Sequence, residues 1–148
     1  MKMKIESFDS AIFAYMQRIG PYGPVNRQLM QTFKAWLTRE NLGGQAAILA
    51  LACDNPATTP AAQCRYEVGI VVPSNLTFKA PIAQRELVGG RYVIFEIEHT
   101  ASAIGQFYQQ LTTTEPTSQW HRRPAPIIER YQPDLVNRGR CEILVPIK

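Results

Sequence analysis

Among the side chains able to do chemistry, Glu129 asks for the most explanation. It lies in the run Ala125-Pro126-Ile127-Ile128-Glu129-Arg130-Tyr131, whose composition reads as a short strand. Alternate residues of a strand share a face, so Ile127, Glu129 and Tyr131 stand together, with Ile128 and Arg130 opposite. If the Ile–Glu–Tyr face is internal, the carboxylate must be paired, hydrogen-bonded or protonated, because a bare buried charge is very costly. A cationic ligand is one way to satisfy it. Aromatic rings supply contact area and cation–π attraction, and one anion supplies the charge. A surface strand with Glu129 and Arg130 turned outward fits the same pattern. Acid–base chemistry is a third use, since burial can lift a carboxylate into the range of a general base, but no second catalytic group is placed beside it.

Glu96 and Glu67 also fall in strand-like segments. Glu96 shares a face with Tyr92 and Ile94, so it too can line a cleft or stand on a solvated sheet face. The same two readings apply to Tyr15, Tyr66 and Trp120. Trp36 belongs with Val25, Leu29, Phe33 and Leu37 in a helical apolar stripe, which assigns it to the core.

Other chemistries find little support. His99 and His121 have no partner at metal-ligand spacing; exposed or capping positions suit both. Cys53, Cys64 and Cys141 form no CxxC pair, so neither a zinc site nor a disulfide framework is expected. Gly43-Gly44 and Gly89-Gly90 are isolated pairs rather than a phosphate-binding loop, and no cofactor is implied. The 148 residues carry a net charge of only +4. Their bases are scattered through Arg18, Lys34, Arg85, Arg122 and Arg138, and only Arg122-Arg123 are adjacent. A nucleic-acid reader concentrates its charge, so direct binding to nucleic acid is not expected. The Met1–Glu6 start lacks a signal-peptide apolar run, and no segment is long enough to span a bilayer. The expectation is a cytoplasmic, reduced protein.

These residues must be held by a scaffold, and the chain describes that scaffold twice. Phe13–Pro21 and Tyr92–Thr100 open similar strand-then-helix segments at an offset of 79. The same offset sets Val25 on Ile104, Leu29 on Tyr108, Ile48 on Ile127 and Ala50 on Glu129. Arg65-Tyr66-Glu67-Val68 repeats at an offset of 75 as Arg140-Cys141-Glu142-Ile143. A repeat of two predicts one domain over 1–148, built from halves of about 1–73 and 85–148, with a cleft available between them.

In the first half, residues 3–19 read as extended, broken near Ser7–Ser10. A helix follows Gly20–Pro24 and ends by glycine termination at Asn41–Gly44. Strands follow over Ala46–Ala52 and Arg65–Val72. Pro73–Gln84 reads as a polar crossover. The second half replays the order with a strand over Arg91–Glu98 and a helix through Ile104–Leu111 capped by Thr100 or Ser102. Glu115-Pro116 breaks that helix, and strands over Ile127–Tyr131 and Arg140–Ile147 close the chain. Two βαββ modules imply an α+β domain with an antiparallel sheet.

Several of these segments together resemble a known family. They are Arg18-Ile19-Gly20-Pro21-Tyr22, Asp54-Asn55-Pro56 with Thr59-Pro60, Arg65-Tyr66-Glu67, Gly89-Gly90-Arg91-Tyr92, Glu129-Arg130-Tyr131 and Cys141–Pro146, in order along nearly the whole chain. The pattern is similar to the GyrI-like small-molecule-binding domain, found in DNA gyrase inhibitory proteins and as the effector-binding domain of AraC-type and MerR-type multidrug regulators. The resemblance implies a curved antiparallel sheet with helices packed on one side and a pseudo-two-fold axis. It also implies a stand-alone binding protein for small hydrophobic or cationic ligands, with Glu129 facing the ligand among aromatic residues and Tyr131 beside it. The partners it implies are such a ligand and either DNA gyrase or a separate regulator. A protein that modulates gyrase and a small hydrolase of reactive electrophiles using Glu129 are the alternatives. The chain departs from the family pattern at His99-Thr100, where many members carry Gly-Pro, and in the threonine-rich Thr112–Pro116.

Overall fold

The computed structural model describes residues 2–44, 46–113 and 120–148. Its elements are β1 (Lys2–Phe8), β2 (Ala11–Ile19), α1 (Val25–Arg39), β3 (Ile48–Ala52), β4 (Arg65–Val72), β5 (Ala83–Leu87), β6 (Gly90–Glu98), α2 (Ala101–Thr113), β7 (Ile127–Tyr131), α3 (Pro133–Asn137) and β8 (Arg140–Ile147). The eight strands form one antiparallel sheet in the order β1-β6-β8-β7-β3-β4-β2-β5. Replacing each strand by its counterpart in the other half reverses that order and leaves it unchanged. The α+β class and the antiparallel sheet agree with the expectation. Each half, however, carries one more leading strand than a βαββ module.

The extra strands explain the curvature. β1 pairs with β6, and β2 with β5, in a single continuous register from Lys2↔Glu96 to Tyr15↔Ala83. The two pairs therefore make one ribbon, interrupted only where the links Asp9-Ser10 and Val88-Gly89 pass each other. One half of the ribbon lies at each edge of the strand order, so the sheet must curl to bring its edges together. At the crossing the Gly89 amide donates to the Ser10 hydroxyl at 3.0 Å. A Cβ on Gly89 would lie 2.1 Å from the Phe8 carbonyl oxygen, and only glycine permits that approach.

Curling buries both faces of the sheet. On the helix side, Ala14, Met16, Ala50, Tyr66 and Val68 pack under Phe33, Trp36 and Leu37 of α1. Val93, Phe95, Cys141 and Ile143 pack under Phe107 and Leu111 of α2. On the other side, Phe13, Leu49, Leu51, Tyr92, Ile94, Ile128 and Leu144 form a third cluster inside the curl. Two carboxylates are buried on that inner side. Glu67 is 3% exposed and Glu142 2%, and each is paired with an arginine, Arg85 and Arg130 respectively.

Several local expectations need correction. β5 occupies the end of the supposed crossover; Ala-Gln-Arg-Glu-Leu has little strand propensity and is held by pairing with β2. Asn41, not a glycine, takes the left-handed turn after α1, with φ 56°. The Leu42 amide then donates to the Leu37 carbonyl at 2.9 Å, a Schellman closure. Between β7 and β8 the short α3 was not foreseen; Pro133 starts it and Gly139, with φ 71°, leaves it. Thr100 does cap α2, its hydroxyl accepting from the Ala103 amide at 3.0 Å. The helix break expected at Glu115-Pro116 lies outside the described residues. Among the described residues no helix is long and apolar enough to cross a membrane.

The crossing predicts a contrast between two glycines. Gly89→Ala should cost about 1–3 kcal/mol through forced backbone displacement. Gly105→Ala in α2, where a Cβ meets nothing, should gain roughly 0.5–1 kcal/mol. Urea denaturation of the two variants measures both; equal stabilities would contradict the crossing geometry.

Candidate small-molecule site

β7 runs beside β3 with Glu129 directly opposite Ala50. These are the residues that the 79-residue offset superposes, so the pair lies where the two halves meet. Ala50 is buried and small, and leaves Glu129 room on the helix side of the sheet. Strand alternation places Ile127, Glu129 and Tyr131 on that side, as expected. α2 crosses above and supplies Tyr108.

Two phenols hold the carboxylate. The Tyr108 hydroxyl donates to Oε2 at 2.9 Å, and the Tyr131 hydroxyl donates to Oε1. Burial pushes the Glu129 carboxyl above its ordinary value, and the Tyr131 and Tyr108 hydrogen bonds pull it partly back. Burial first, then the Glu129 charge, raises both phenols far above theirs, so they remain donors at neutral pH. Among the described residues no basic side chain forms an ion pair with Glu129. Hydrogen bonds to a charged group give about 1.5–3 kcal/mol each, against several kcal/mol for removing an ion from water. The raised pKa says that desolvation wins. Unlike Glu67 and Glu142, this carboxylate is held, among the described residues, by neutral donors alone.

Glu129 nevertheless keeps some accessible surface, although it is not itself a wall residue of the neighbouring cleft. A cleft of about 730 Å³ lies alongside, between α1 and the α3 region, with Met30, Leu37, Ile48, Tyr66, Tyr131 and His99 in its walls. Tyr66 is buried at 7% exposure; burial and then the Glu129 charge raise its phenol. The His99 ring stands 5.0 Å from that of Tyr131, centroid to centroid. Desolvation and then Lys34 pull its pKa below the ordinary value, so His99 brings little positive charge at neutral pH. A volume of this size takes a drug-sized molecule.

The sequence-derived candidates divide by face. Glu129, Tyr131 and Tyr66 come together. Tyr15 and Glu96 lie on the other side of the sheet: Tyr15 stacks on Phe13 with ring centroids 5.2 Å apart, and Glu96 accepts from Arg140 at 3.2 Å. In β2 the odd positions face away from the helices, the reverse of β7, whereas in β6 the even ones do, as in β7; alternation within one strand carries no information about its neighbour's phase. Trp120 packs half-buried against the α2-side cluster and is not among the cleft walls. Tyr108 was missed as a site residue, although the repeat held a signal for it: its counterpart Leu29 has no hydroxyl. His99 against Gly20 is a third such difference.

Cys141 does not supply the carboxylate with an activated nucleophile. Burial first and then Glu129 push the Cys141 thiol up to about 11, which keeps it protonated and unreactive. Among the described residues no cluster of histidine, cysteine and acidic side chains is arranged to hold a metal.

The arrangement could hold a small molecule, and sequence comparison gives the family. The model of the GyrI-like small molecule binding domain matches residues 1–148. The chain belongs to the GyrI-like family. A relative, the Bacillus subtilis (strain 168) protein named "SPbeta prophage-derived putative transcriptional regulator YosT", is 34% identical over 149 residues, with 100% of both chains covered. The solved structure of SAV2435 bound to tetraphenylphosphonium has a TM-score of 0.66 at 16% identity, covering 100% of this chain and 94% of the other. The EcmrR C-terminal domain has a TM-score of 0.71 at 12% identity, covering 99% and 97%. At these identities the two structures show that the GyrI-like fold is shared.

The raised Glu129 pKa has a testable sign. A carboxyl whose folded pKa exceeds its unfolded value favours the folded state at low pH and costs stability as pH rises through the folded value. Glu129→Gln removes that cost, so the variant should gain on wild type between pH 4 and pH 8, read from urea midpoints across that range. A variant that instead loses ground as pH rises would show Glu129 to be stabilised as the anion.

Proposed function

We propose that this GyrI-like domain is a receptor for a lipophilic cation, with Glu129 as the counter-charge. The observation that carries the reading is a carboxylate bound, among the described residues, by the phenols of Tyr108 and Tyr131 alone. A cation in the adjoining cleft supplies the charge that the described residues withhold. The Tyr66 and Tyr131 rings offer faces worth roughly 0.5–2 kcal/mol each to a desolvated cation, and Met30, Leu37 and Ile48 accept apolar substituents. The low His99 pKa removes one source of repulsion, which leaves Arg27 and Lys34 as the basic side chains of the cleft wall. Tetraphenylphosphonium in SAV2435 is a ligand of this class on the same fold, which supports the choice. The name of YosT supports reading the bound state as a signal, passed to transcription through a partner.

Thermal unfolding with tetraphenylphosphonium tests the proposal. At a hundredfold excess over Kd the cation should add about 2.7 kcal/mol of stability. Glu129→Gln should lose most of that gain, Tyr131→Phe part of it. Tetraphenylborate, the same shape with the opposite charge, should give none. Equal stabilisation by the borate and the phosphonium would overturn the assignment of Glu129.

A further inference from the structure

A second cavity opens inside the curl, on the opposite side of the sheet from Glu129. It measures about 340 Å³, with Phe8, Leu49, Leu87, Ile128 and Leu144 in its walls, and with Val71 and Val88 standing 50% and 61% exposed at its mouth. Arg130 is part of the same wall. It follows Glu129 in β7, so one strand turns a carboxylate to the helix side of the sheet and a guanidinium to this cavity. Its counterpart at the 79-residue offset is Leu51, a core residue with no exposed surface. The second half has thus replaced a buried leucine by an arginine beside an apolar cavity.

The hydrogen bonds of that arginine are unevenly used. Nε donates to Glu142 Oε1 at 2.8 Å, and the group lies over the Phe8 ring with 5.6 Å from Cζ to the centroid. Among the described residues Nη1 and Nη2 donate to nothing. Arg85, its analogue beside Glu67, engages both: Nη2 donates to Glu67 and Nη1 to the Glu86 carbonyl. Glu142 is held by a second donor as well, the Gln132 amide at 2.6 Å, so the pair does not depend on the Nη groups. The remaining wall is aliphatic or aromatic apart from the exposed Asp9.

We propose that this cavity is a second ligand site, distinct from the cation cleft, for an amphiphilic carboxylate of the medium-chain fatty-acid class. The aliphatic chain lies against Leu49, Ile128 and Leu144. The carboxylate accepts from Arg130 Nη1 and Nη2, the planar fork that suits a bidentate anion. Val71 and Val88, which face water, are covered by the chain; burying exposed apolar surface is the drive for entry.

Calorimetric titration of the intact protein with decanoate, below its aggregation concentration, tests this, with decanol and decyltrimethylammonium as matched probes. Decanoate should saturate at one per chain and bind at least tenfold more tightly than either. Arg130→Gln should weaken it at least tenfold, and Glu129→Gln should leave it within twofold of wild type. Should loss of the Glu142 pair prevent Arg130→Gln from folding, Val71→Trp, a bulky change at an exposed mouth position, should still weaken decanoate at least fivefold. The proposal is overturned if wild type shows no saturable decanoate binding, if decanol binds as well as decanoate, if Glu129→Gln abolishes decanoate binding, or if a folded Arg130→Gln or Val71→Trp variant binds it like wild type.

Discussion

The register that sets Ala50 against Glu129 is the constraint on which this molecule depends. A duplicated sheet brings its two copies face to face at its centre, so equivalent residues there become direct cross-strand neighbours. Two glutamates at that point would stand side by side on a desolvated face, and like charges directly opposite destabilise a sheet. One copy can carry the charge only if the other is small and neutral. Ala50 meets both requirements, and the space it leaves admits the Tyr108 and Tyr131 hydroxyls.

From that asymmetry the rest of the site follows. The sheet curls because a single ribbon joins its two edges, and the curl gives it two buried faces rather than one. α1 and α2 cover the outer aspect, with a cleft between α1 and the α3 region, while the inner aspect fills with apolar side chains and two arginine-paired glutamates. Burial means different things on the two sides. Glu67 and Glu142 are structural ions whose counter-charges come from the chain itself. Glu129 has hydrogen bonds but no counter-charge among the described residues, and the proposed ligand supplies it.

Much of this was legible in the residues. The 79-residue offset disclosed the two halves, and alternation around Glu129 put Ile127 and Tyr131 on its face. What stayed hidden was information that lives between strands. Glu96 and Tyr15 resembled Glu129 and Tyr131 in local pattern, yet inter-strand register puts them across the sheet. β5 was unreadable because its residues have weak strand preference and take their conformation from β2. Tyr108 stands in plain view as the counterpart of Leu29, but it falls within an apolar helical stripe. A tyrosine in such a stripe can belong to the core by its ring and to the site by its hydroxyl. Comparing the copies for lost symmetry, at Glu129, Tyr108, His99 and Arg130, finds the site more directly than propensity does.

The central claim is that Glu129 waits for an external positive charge. Titration of its side-chain carboxyl carbon by NMR measures this without relying on stability or on variants. In the free protein the carboxyl should ionise above the ordinary glutamate range; saturation with tetraphenylphosphonium should shift its ionisation to lower pH, with proton release on binding near the free value. An ionisation that stays in place when the cation is bound would contradict the account.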